Sequence, residues 1–204
     1  MLTPESTPTR QRILDAADHL MRTIGLARTT TKEIAKAAGC SEAALYKHFA
    51  GKEELFVQVL AERAPRLGPL MAELTADPGG RSVESCLTDI ARTAVLFYES
   101  SVPIAASLFA EPALLARHRE ALRPLDRGPV VPLRALSRYL RAEREGGRIR
   151  AGADTDAAAA LLLGACYQRG FLNCYLGEPV DDQPLEEFAA AIARTVLAGI
   201  ACDQ

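Results

Sequence analysis

Tryptophan is absent from the 204 residues and lysine is nearly so: Lys32, Lys36, Lys47 and Lys52 are the only four. No stretch approaches the ~18 apolar residues that a membrane-spanning helix needs; the most apolar run, 157–167, is too short. The opening MLTPESTPTRQR has two prolines and no apolar centre. It reads as neither signal peptide nor anchor, so the expected location is cytoplasmic, with no membrane partner. Runs of β-branched residues are scarce and alanine is abundant, which argues against a sheet protein and for an all-α one. The chain has no GxSxG, GxGxxG, P-loop, HExxH or zinc-spaced Cys/His set, so no enzyme, cofactor or metal is expected. Cys40, Cys86, Cys166, Cys174 and Cys202 are odd in number and include no CxxC. They read as buried thiols. Cys166 and Cys174 share a helix face about 12 Å apart, beyond the ~7 Å that a disulfide tolerates.

What is present concentrates in 29–56, TTTKEIAKAAGCSEAALYKHFAGKEELF, which holds all four lysines. Residues 1–52 carry eight Lys+Arg against five Asp+Glu, a balance of +3, and the remainder carries sixteen against twenty-one, −5. A basic head on an acidic body suits a nucleic-acid module joined to something else. A first helix is expected over 9–24, with Ile13, Leu14, Ala17, Leu20, Met21 and Ile24 on one stripe. Thr30 with Glu33 forms a capping box for a helix over 31–38 that buries Ile34, Ala35 and Ala38. Gly39 turns the chain, and Ser41 caps a third helix over 42–49 with Leu45 and Phe49 inward. A fourth begins near Lys52, carries Leu55, Phe56, Val59 and Leu60, and meets an interruption at Pro65. Beyond a boundary at Pro65–Pro69 and a break at 77–80, helices are expected over 82–101, 103–110, 112–123, 130–145, 154–176 and 184–201. The loop between the third and fourth of these six is 124–129. The total is about nine to ten helices. The expected domains are a three-helix head, 1–66, with its helix-turn-helix over about 30–49, and a larger helical body, 67–204.

Two short helices joined by a tight Gly turn match a helix-turn-helix, whose second helix enters the major groove of duplex DNA. Thr31, Tyr46, His48 and Lys52 are suited to backbone phosphates: two hydroxyls, an imidazole and an ammonium. Lys47 adds a cation on the exposed face of the second helix, Lys32 is peripheral, and Lys36 reads as a solvated helix face. Glu42, Ala43, Ala44 and Lys47 face the bases. Glu42 suits a cytosine amino group, Lys47 a guanine, and the alanines a thymine methyl. Two alanines give few hydrogen bonds, so specificity leans on DNA shape or on neighbouring residues.

The same segment resembles the signature of the TetR family of bacterial transcriptional regulators, preceded by a head helix, RQRILDAADHLMRTIG. The anchors are Ile34-Ala35, Ala38-Gly39, Ser41, Leu45-Tyr46, His48-Phe49 and Lys52-Glu53, and the likeness is strong over about 9–60. The chain departs from the pattern at Cys40, where an aliphatic is common, at Ala43, often glycine, and at Ala44, often threonine or another polar residue. The resemblance implies phosphate contacts by Thr31, Tyr46, His48 and Lys52. It also implies a homodimer held by the last two helices, a palindromic operator, and repression relieved by a small-molecule effector in the body.

In the body, the final helix has one stripe of Leu185, Phe188, Ala189, Ile192, Val196 and Gly199, and a second of Ala190, Ala193, Leu197 and Ala201. Helix 154–176 combines Leu161, Leu162, Ala165 and Leu172 with small Ala157, Ala158 and Gly164. Helices apolar on both sides are buried on both sides. They pair across a two-fold axis or pack only within one chain. Leu161, Leu172, Phe188, Ile192 and Val196 are the dimer candidates. Phe97, Tyr98, Phe109, Tyr139, Cys166, Tyr167 and Arg169 are the effector-pocket candidates, with core packing the alternative for the aromatics. Arg169 suits an anionic group or a salt bridge, with Glu99 or from another helix. His118, in the run Arg117-His118-Arg119, reads as solvated. The competing functions are a DNA-binding regulator without an effector, an enzyme, and a protein-interaction scaffold.

Overall fold

The local structure of the head follows from its caps. Thr30 is extended (φ −115°, ψ 154°) and its hydroxyl accepts the Glu33 N–H, while the Glu33 carboxylate accepts the Thr30 N–H at 2.9 Å. This reciprocal pair satisfies donors that the first turn of α2 (Thr31–Ala37) leaves free. Gly39 (φ +65°) reverses the chain, and the Cys40 N–H donates to Ala35 O. The Ser41 hydroxyl then accepts the Ala44 N–H at 3.1 Å and starts α3 (Glu42–Tyr46). α3 ends three residues before the expected Phe49. The N–H groups of His48 and Phe49 both donate to Leu45 O, at 2.9 and 3.0 Å, so the chain tightens after Tyr46 instead of adding a regular turn.

The computed structural model describes residues 6–63, 67–110, 112–122 and 128–200, and among these it has ten helices and no strand. Besides α2 and α3 they are α1 (Ser6–Thr23), α4 (Lys52–Arg63), α5 (Leu67–Ala76), α6 (Val83–Phe109), α7 (Pro112–Leu122), α8 (Val131–Glu145), α9 (Thr155–Leu176) and α10 (Leu185–Ile200). Pro65, Cys202 and most of the expected 124–129 loop fall outside the described residues, as does the end of the last expected helix. The Leu60 side chain does too.

Two expectations fail at prolines. The sequence places a boundary at Pro65–Pro69 and assigns no helix before the 77–80 break, but Leu67–Ala76 is α5. Pro69 stands third in that helix, where no intrahelical acceptor exists for an N–H, so its missing donor costs nothing there. Leu67, Met71 and Leu74 recur at helical spacing and are buried. The second failure is the expected break before Pro103, which instead lies inside the 27-residue α6. Proline removes the donor to Glu99 O, but the Cys174 thiol sits 3.3 Å from that carbonyl and replaces it.

The chain divides into two compact units: the described residues of Met1–Ala64 with Ser101–Asp126, and those of Pro65–Ser100 with Arg127–Gln204. The dividing line falls within α6. The first unit buries Ile13, Leu14, Ala17 and Met21 of α1 with Ile34, Ala35, Leu45, Phe49 and Phe56, together with Ile104, Leu108 and Leu114. Ile24 leaves the expected stripe and is exposed, because α1 has already ended. In the second unit α6, α8, α9 and α10 supply Leu87, Ile90, Leu136, Leu140, Leu162, Leu163, Ala189 and Ala193 to one core. Gly170 marks a close approach of α9 to α6: a Cβ there would lie 3.0 Å from Tyr98 Cβ, 3.1 Å from Glu99 N and 3.2 Å from Val95 O.

Candidate nucleic-acid interface

Thr31 opens α2 and Tyr46 closes α3, and the crossing of these helices brings their hydroxyls to 3.2 Å. The Thr31 hydroxyl also donates to Glu42 Oε1 at 2.6 Å. A hydroxyl has one proton, so with Thr31 donating to the carboxylate, Tyr46 donates to Thr31. The result is a directed chain, Tyr46 to Thr31 to Glu42. Tyr46 is 52% exposed. Lys47 is exposed at the C-cap of α3, and His48 follows it, half-buried. Lys52 begins α4, and its ammonium donates to Ala27 O at 3.2 Å, leaving two protons for other acceptors. Glu54 secures the entry to α4 by accepting the Ala50 N–H at 2.6 Å. On α3, Ala43 is exposed, whereas Ala44 and Glu42 are half-buried.

The other sequence candidates distribute differently. Phe109 belongs to the first unit and is 74% exposed. Phe97, Tyr98, Tyr139, Cys166, Tyr167 and Arg169 belong to the second. Tyr139 and Cys166 have no exposed surface. Burial pushes the Tyr139 phenol well above its ordinary value and the Cys166 thiol up to about 12. Tyr98 meets Phe97 and Tyr167 edge to face, at 5.4 and 5.3 Å between centroids, and burial raises its phenol to about 12. Arg169 is buried, forms a salt bridge with Asp181 at 3.1 Å, donates to Gln183 O at 2.6 Å, and stacks over Phe188. Its ion-pair partner is thus on the α9–α10 connection, and Glu99 instead accepts from Asn173 at 2.6 Å. An open groove of about 830 Å³ runs along this clip, lined by Glu99, Arg169, Asn173, Asp181, Gln183 and their neighbours.

Among the dimer candidates, Leu161 is 66% exposed, Leu172 and Ile192 are half-buried, Phe188 lies under Arg169, and Val196 is buried in its own chain. α9 exposes a row that the sequence reading did not single out: Tyr167, Phe171 and Tyr175 stack successively at 6.4 and 6.1 Å. Their spacing of four residues was the available signal. His118 is a correction. It is buried, because α7 turns Leu114 and His118, four apart, to the same side, and the imidazole meets Phe56 edge-on at 4.6 Å.

A capped helix-turn-helix with cations beside its second helix, in an all-helical chain, defines a DNA-binding regulator of transcription. The chain carries a segment of TetR type: the family model for bacterial regulatory proteins of the TetR family matches residues 13–59. It is 27% identical over 199 residues to YvkB, an HTH-type transcriptional regulator of Bacillus subtilis (strain 168), covering 96% of this chain and 99% of that protein. Two further curated regulators match over only 34% of their own length. Among solved structures, a TetR-family regulator from Mesorhizobium loti superposes with a TM-score of 0.74 at 22% identity, covering 98% of this chain and all of that one. The SmeT–triclosan complex does so with a TM-score of 0.66 at 25% identity, covering 96% and 92%. No described helix is long and apolar enough to cross a membrane.

Proposed function

We propose that the chain is a cytoplasmic repressor that binds a palindromic operator as a homodimer and leaves it when a small molecule binds. The observation that carries this reading is the grouping of the Thr31 and Tyr46 hydroxyls with exposed Lys47 beside the short α3. DNA binding is assigned to residues 1–66, and effector binding and dimerisation to 67–204. α7 packs with the first unit, so packing unit and assigned domain differ there. Thr31, Tyr46, His48 and Lys52 hold phosphates and fix register, while Glu42, Ala43, Ala44 and Lys47 meet base edges.

The test is fluorescence anisotropy on a duplex selected by this protein from a randomised pool, across a salt series. Lys52→Ala is expected to weaken binding roughly tenfold and to reduce the log–log salt slope by about 1, as loss of one phosphate contact requires. Tyr46→Phe weakens it less. An unchanged affinity and slope for Lys52→Ala, with the helical signal intact, contradicts the assignment.

The complex of SmeT with triclosan supports a small-molecule effector, and the groove beside Arg169 in the second unit is a space open to one. A regulator without an effector is favoured by the packed state of Tyr139 and Cys166 and by the engagement of Arg169 with Asp181. A metabolite panel separates the two: an effector raises the melting temperature and releases the duplex, and a panel in which nothing does both supports the second reading.

A further inference from the structure

Tyr46 and Thr31 direct both of their hydroxyl protons along one internal path that ends on the Glu42 carboxylate. Those are the protons that a phosphate oxygen would need. We propose that Glu42 is an internal competitor of the DNA backbone: its carboxylate occupies the Thr31 hydroxyl as an anion surrogate, and so holds the protein off DNA that offers no compensating contact. The inference rests on the DNA-binding assignment above and adds a discriminating role to one of its residues.

The geometry makes the competition unavoidable. At 2.6 Å the Thr31–Glu42 bond is short, as expected when the acceptor is charged. A phosphate approaching Thr31 must replace this bond, and it also comes close to a carboxylate of its own sign. Glu42 cannot simply swing away without consequence. It stands in the first turn of α3, where its charge favours the helix N-terminus, and once displaced it needs another donor. The amino groups of cytosine and adenine in the major groove are such donors, whereas thymine and guanine present acceptors at the corresponding edge. A register with thymine or guanine opposite α3, common in random DNA, therefore meets the repulsion alone, and a site that places an amino group there, such as that of cytosine, returns a hydrogen bond. Glu42 weakens both complexes but weakens the wrong one more, which is discrimination by repulsion. This role suits a recognition helix whose central residues, Ala43 and Ala44, carry no side-chain donors or acceptors.

The experiment uses the full chain as wild type, Glu42→Gln, Thr31→Val, the double variant and Lys52→Ala. Each is titrated by fluorescence anisotropy against a random-sequence duplex and against the duplex selected from a randomised pool. Circular dichroism confirms the fold of each, and Glu42→Ala repeats the measurement should Glu42→Gln not fold. Glu42→Gln is expected to tighten binding to random DNA by roughly fivefold to tenfold, equivalent to about 1–1.4 kcal/mol, and to tighten the selected duplex less, so that the ratio between them narrows. In the Thr31→Val background the gain shrinks, because there is no hydroxyl to release. Unchanged or weaker binding of Glu42→Gln to random DNA overturns the proposal. So does a gain of equal size in the Thr31→Val background, which would be a general charge effect. Lys52→Ala keeps the two readings apart: if it does not weaken binding to either duplex, the DNA assignment itself fails, whereas if it weakens binding while Glu42→Gln gains nothing, only the competitor role fails.

Discussion

Within the first unit buried His118 packs against Phe56 and feels the Glu53 carboxylate, which pairs with Arg117 at 3.0 Å. Its Nδ1 has no hydrogen-bond partner among the described residues. Burial lowers its pKa below the ordinary imidazole value, and the Glu53 carboxylate offsets part of that. In the unfolded chain the ring takes up a proton near pH ~6.5, and in the folded chain only at lower pH. Between those values the unfolded state binds more protons, so the contribution of His118 is whole above about pH 6.5 and is lost as pH falls through the folded value. The melting temperature should therefore fall on acidification below about pH 6.5, and should fall less in His118→Phe. Parallel curves for the two proteins would refute this. The run Arg117-His118-Arg119 gave no sign of the burial, since flanking arginines indicate solvent and only the orientation of α7 decides which of the three turns inward. Arg169 is a similar case: its charge was evident in the sequence, but its partner Asp181 was not, because a loop residue is placed by packing and not by helical spacing.

At the scale of elements, α9 shows how two identical residues diverge. Gly164 and Gly170 are six apart on one helix. A Cβ at Gly164 would meet nothing within 4 Å, whereas one at Gly170 would press on Tyr98 Cβ and on backbone atoms of α6. Backbone atoms cannot rotate away, so Gly170→Ala should destabilise the second unit by about 1–2 kcal/mol, the overpacking penalty exceeding the ~1 kcal/mol gain in helix propensity. Chemical denaturation measures it, and a variant as stable as wild type would show that α6 and α9 are free to separate there. The thiols of Cys166 and Cys174 reinforce the same pairing by meeting the carbonyls of Ala91 and Glu99, eight residues apart on each helix. Element boundaries set by caps were legible from sequence: the Thr30–Glu33 box and the Ser41 cap are both present. α5 and the continuity of α6 were not, because a proline's effect depends on whether its missing N–H had an acceptor to lose.

For the whole molecule, α9 leaves Leu161, Phe171 and Tyr175 exposed, the last at 78%. Together with the open side of Gly164 they form an apolar face larger than scattered surface residues make. The proposed homodimer covers this face, which shifts the interface from Phe188 and Val196, occupied within their own chain, towards Leu161 and the aromatic row. Sedimentation velocity is expected to give a species of twice the 21.9 kDa chain. Leu161→Glu with Phe171→Glu should yield the monomer and weaken duplex binding at least tenfold, because two linked heads gain from effective concentration. A double variant that remains dimeric places the interface elsewhere.

The helical class, the capped helix-turn-helix and its basic charge are legible along the chain. Each rests on interactions within a few residues of chain: side-chain caps, helical periodicity and the choice of glycine for a turn. That Thr31 gives its proton to Glu42, that Arg169 clips a loop, that His118 is buried and that Pro103 is tolerated emerges only on packing. Those depend on which helix faces cross and at what distance, and a side chain takes the partner that the crossing supplies. The lysine-bearing segment 29–56 therefore identifies a DNA-binding head, while the state of its hydroxyls belongs to the packing of α2 on α3.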